Sequence, residues 1–72
     1  MIKELSEFNT YKLKSPMEVS IIEREGHFYS FNNEFEIYGD GNTEDEAFES
    51  FRTQLRLMYE VSKKLVELVE DE

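Results

Sequence analysis

The chain has 72 residues, 17 acidic and 8 basic, for a net charge of −9; it makes one domain with a modest core, and its charge repels phosphate backbones, so direct nucleic-acid binding is not expected. It contains no cysteine, which removes disulfide staples and thiolate zinc sites and leaves self-association as the common support for so small a core. No apolar run reaches the about 18 residues of a membrane span, and "MIKELSEF" lacks the apolar stretch of a signal peptide, so a cytoplasmic protein is expected.

Residues 1–72 read as a single domain made of a lead (1–15), a sheet (17–38) and a helix (43–69). In the lead, Ile2, Leu5 and Phe8 recur at helical spacing, whereas Tyr11 and Leu13 recur at strand spacing. The reading is a disordered or weakly helical start followed by a short strand that ends before Pro16, because proline cannot donate to a sheet ladder. In "MEVSIIE", Val19 and Ile21 alternate with Glu18 and Ser20, the pattern of a half-buried strand. Gly26 supplies the positive φ of a hairpin turn, and the aromatic-rich "HFYSF" (27–31) reads as the next strand. "NN" at 32 and 33 turns the chain again. Glu34 to Tyr38 then alternates, with Phe35 and Ile37 on one side and Glu34 and Glu36 on the other. The expected fold is α+β, an antiparallel meander of three to four strands followed by one long helix packed on one face.

Gly39 and Gly41 are expected to end the last strand. Thr43 stands three residues before Glu46, with Ala47 and Phe48 following, which is a capping box. Glu44, Asp45 and Glu46 also suit the positive end of the helix dipole. The helix, about 26 residues and about 39 Å long, carries a packing stripe of Phe48, Phe51, Leu55, Met58, Ser62, Leu65 and Val69. Leu57, Val61 and Leu68 form a second apolar line, with Tyr59 and Val66 flanking the stripe on the other side. Such a rod exceeds the diameter of a domain this size, so it either overhangs the sheet or breaks near Tyr59 to Ser62. An overhang needs a second chain. Leu57, Tyr59, Val61 and Leu68 are therefore the expected contact residues of a homodimer or of another protein partner.

The acid-rich stretch "YGDGNTEDEAF" invites a test for chemistry. A calcium loop beginning at Asp40 needs glycine at 45 and glutamate at 51, where Asp45 and Phe51 stand. A phosphate loop needs Gly-Lys-Ser or Gly-Lys-Thr after the glycines, and acids at a helix start repel phosphate. His27, the lone histidine, has no nucleophile or orienting acid assignable from sequence. The carboxylate pairs Glu34/Glu36 and Glu23/Glu25 suit the solvent face of an antiparallel sheet. No catalytic, metal or cofactor site is expected.

The order Val19 to Glu23, Gly26, Phe28 to Phe31, Phe35 to Tyr38, and then Gly39, Gly41, Thr43, Glu46 and Ala47 resembles the HicB-like domain, the antitoxin half of HicA–HicB toxin–antitoxin pairs. The resemblance covers residues 17–60 and rests mainly on the G-x-G-x-T-x-x-E-A run. It implies a partial RNase H-like sheet crossed by a helix, without catalytic residues, working through protein contact and self-association. The implied partner is a small basic ribonuclease toxin, which an acidic surface suits. The chain departs from the family in its short "NN" loop and in stopping at "VELVEDE" without the C-terminal DNA-binding module. The expected function is a non-enzymatic protein-interaction module of this kind, or an orphan self-associating relative. The alternative is an acidic nucleic-acid mimic that inhibits a basic protein; steep loss of binding with salt distinguishes it.

Overall fold

The computed structural model describes residues 1–8 and 11–62. In chain order they form β1 (Ile2–Phe8), β2 (Tyr11–Arg24), β3 (His27–Asn32), β4 (Ile37–Gly41) and α1 (Glu44–Ser62). The strands make one antiparallel sheet in the order β1-β2-β3-β4, and α1 packs across one face. The fold is thus the α+β meander with a following helix that the patterning indicates, with four strands.

The lead differs from its reading. It is an edge strand, β1, paired antiparallel with β2. The register shifts between Leu5 and Glu7, and that irregularity puts Leu5 and Phe8, three residues apart, on the same buried side. A strand with a bulge therefore imitates helical spacing. β2 also passes through Pro16 instead of ending before it. Residues 13–16 lie in the stretch where β1 and β2 fall out of register, so no ladder bond is lost to the missing amide.

β2 and β3 are joined through Glu25 and Gly26, both with positive φ (53° and 81°), the two-residue turn whose twist matches a hairpin. After β3, the Asn32 side chain accepts from the Phe35 amide at 3.0 Å, and Glu36 takes φ 56°. That left-handed residue interrupts the expected strand over 34–38, and β4 begins instead at Ile37. Gly39 lies inside β4, and Gly41 is its last residue.

The core lies between the sheet and α1. Leu5, Phe8, Leu13, Met17, Val19, Ile21 and Ile37 from the sheet meet Ala47, Phe51 and Leu55 from the helix. Gly39 and Gly41 follow Ile37 on this side. A methyl group at Gly39 would stand 2.5 Å from the Phe51 amide nitrogen, and one at Gly41 would stand 2.5 Å from Glu46 Cβ. The glycines therefore allow the helix to lie directly against β4. Ser30 is the buried polar residue of the core, and its hydroxyl donates to the Ala47 carbonyl at 2.7 Å. It ties β3 to the first turn of α1 without an unmet polar group.

The helix start carries its cap. The Glu46 amide donates to Thr43 Oγ1 at 3.1 Å. The returning bond differs by one residue from the expected box: Glu46 Oε1 accepts from the Asn42 amide at 2.9 Å, not from that of Thr43. The helix is continuous through Ser62. The expected extension to 69 lies outside the described residues.

Candidate interaction surface

One helix covers one face of a four-stranded sheet, and the composition of the other face follows from strand parity. Cross-strand register aligns Ile2, Ser20, Phe31 and Tyr38 in one row, and Ile22, Tyr29 and Asp40 in the next. Ile2 and Tyr38 are 61% and 60% exposed, and Ile22 and Tyr29 are 42% and 40% exposed; Phe31 is half-buried by its neighbours. These five side chains form a contiguous apolar band across all four strands. Arg24 and His27 form the row on one side of the band, and Glu4 and Glu18 the row on the other. Of the 13 acidic residues among the described residues, Glu4, Glu18 and Asp40 border the band, so most of the negative charge there lies elsewhere. Bands of this kind, rimmed by polar groups, mark binding surfaces more often than single exposed apolar residues do.

His27 Nε2 donates to Asp40 Oδ2 at 2.9 Å, across β3 and β4, and its ring meets Tyr29 edge-on with centroids 5.0 Å apart. An acid thus does orient the histidine, although the sequence spacing of 13 residues hid it. The arrangement serves to pin two side chains on the rim of the band. The Ser30 hydroxyl lies on the opposite face, buried and committed to the Ala47 carbonyl, so it is not placed for activation by this pair. Among the described residues, no group of three or more histidine, cysteine, aspartate or glutamate side chains is placed to hold a metal ion. Two acids of the helix start serve structure: Glu46 caps the helix, and Asp45 lies 3.6 Å from Lys3 Nζ of β1, which also sits 5.3 Å over the Phe48 ring.

The expected contact residues separate in space. Leu57 and Val61 are 42% and 83% exposed on α1. Leu57 borders an open groove of about 440 Å³ between the helix and the β4 edge, lined by Glu36, Ile37, Tyr38, Gln54, Leu57 and Met58. Tyr59, an expected contact residue, is half-buried. Its ring packs inward, 4.8 Å from that of Tyr11 and 6.1 Å from that of Phe8, and closes the end of the core nearest the β1–β2 connection. Leu68 lies outside the described residues. The open-face band was missed because Val19 and Ile21 alternate with polar residues and suggest a one-sided strand. The signal was present in Ile22 beside Ile21, and in Phe28, Tyr29 and Phe31 within one strand, which place apolar groups on both faces.

No protein-family model, curated protein or solved structure matches the chain.

Proposed function

We propose that this protein is a non-enzymatic protein-interaction module that works in the cytoplasm, self-associates and binds a small basic protein in the manner of the HicB-like antitoxins it resembles. The observation that carries this reading is the apolar band of Ile2, Ile22, Tyr29, Phe31 and Tyr38 on a sheet face that no element of the described chain covers. Aromatic and aliphatic side chains held rigidly on a sheet suit protein contact, since little conformational entropy is lost when they are covered. The excess of acidic groups away from the band suits a basic partner, whose approach it would accelerate. The test compares capture from native lysate by the wild type and by a variant with Ile22→Glu and Tyr38→Glu. Both positions are exposed, so the variant keeps its fold. The expected result is that the wild type holds a small basic protein, its own chain or both at high salt and the variant loses them. Equal capture by both proteins refutes the role of the open face.

A further inference from the structure

Resting on that reading, we infer that the open sheet face is covered by a second copy of this chain, related by a two-fold axis that lies in the contact plane and runs across the strands. The argument comes from the register. A half-turn about an axis midway between the Ser20 row and the Ile22 row exchanges those rows. It sets each strand over its own copy, running the opposite way. Phe31 of one copy then meets Tyr29 of the other, and Ser20 meets Ile22. Tyr38 meets Asp40, with the phenol hydroxyl placed to donate to the carboxylate. The flanking rows exchange as well, so Arg24 meets Glu18. Each of these contacts occurs twice, as an isologous interface requires.

The other in-plane two-fold that keeps the stacked strands aligned runs along the strands. It places Ile22 over Tyr29 and Ile2 over Tyr38, but it sets Arg24 over His27 and leaves Glu18 without a cation. Charge therefore selects the first arrangement. Stacked sheets lie about 10 Å apart and are inclined by about 30°, an offset that the long arginine and glutamate stems span. Four strands at about 4.8 Å give a face about 19 Å wide. Over the four rows the contact falls at the small end of specific interfaces, so a dimer of about micromolar affinity is expected.

The experiment is analytical ultracentrifugation of the purified full chain from about 1 to about 500 µM, a range that brackets such an affinity. The proteins compared are the wild type, Arg24→Glu, Glu18→Arg and the double variant, with circular dichroism to show that each is folded. Each single change replaces two attractive contacts by two repulsive ones, so the dimer weakens about tenfold or more. The double variant restores the pairing in reverse and recovers to within about threefold of wild type. A wild type that stays monomeric throughout overturns the inference, as does a dimer indifferent to the single changes or a double variant that fails to recover. A monomeric protein that still captures a basic partner through Ile22 and Tyr38 overturns the two-fold alone. A dimer that survives Ile22→Glu with Tyr38→Glu overturns the open-face reading too.

Discussion

Gly39 offers a test of the packing whose sign is at stake. Replacing a strand glycine with alanine ordinarily stabilises a protein by about 0.4–1 kcal/mol, because the unfolded chain loses freedom. Here the added Cβ would stand 2.5 Å from the Phe51 nitrogen, 2.8 Å from Ser30 Oγ and 2.9 Å from the Ser50 carbonyl carbon. Two of the three are helix backbone atoms, which cannot swing aside as a side-chain tip can. α1 must lift from β4, and overpacking of this kind costs about 1–3 kcal/mol. With backbone as the obstacle, about 2–3 kcal/mol is expected for Gly39→Ala. A domain of this length holds only about 4–11 kcal/mol in all. At about 4–8 °C per kcal/mol, the midpoint of thermal unfolding should fall by roughly 10–20 °C. The assay is thermal and urea denaturation followed by circular dichroism. The double variant Ser30→Ala/Gly39→Ala sharpens it, because removing the serine hydroxyl leaves both backbone contacts in place and should rescue nothing. An unchanged or raised midpoint for Gly39→Ala, or rescue by Ser30→Ala, refutes the close approach of helix to strand.

Three further outcomes are expected. Thr43→Ala removes the oxygen that accepts from the Glu46 amide and should cost about 1 kcal/mol in urea unfolding. Ser30→Ala deletes the buried donor to the Ala47 carbonyl; that carbonyl keeps its helical partner, so the loss in the same assay should be about 1 kcal/mol. Val61→Glu changes a side chain that is 83% exposed; sedimentation should show self-association unaltered, whereas Ile22→Glu should abolish it.

Several parts of this fold were legible because short-range chemistry decides them. Gly26 marked the β2–β3 hairpin, and Thr43 with Glu46 marked the helix start to the residue. The stripe through Phe51 and Leu55 named the buried helix face. Several failures arise where a local rule gives way to the structure around it. The bulge between Leu5 and Glu7 broke the two-residue period that would have announced β1. Gly39 and Gly41 suggest the end of a strand, whereas they matter for the volume they leave to α1. Tyr59 sat at the margin of the helical stripe, and only the proximity of Phe8 and Tyr11 draws it inward. The band on the open face required the cross-strand register, which no single strand contains.

The cluster of Phe8, Tyr11 and Tyr59 brings the first hairpin against the last turns of the described helix, across 51 positions of sequence between Phe8 and Tyr59. The strands pair with their sequence neighbours and can form early in synthesis. Their shared apolar face, however, has nothing to cover it until the helix has been made. A ribosome-bound chain arrested before α1, which opens at Glu44, has emerged would therefore expose both faces of its sheet at once, and association with other nascent chains is the hazard at that stage. Completion of the domain is set by arrival of the helix, so the protein is expected to gain its cooperative stability in a single late step.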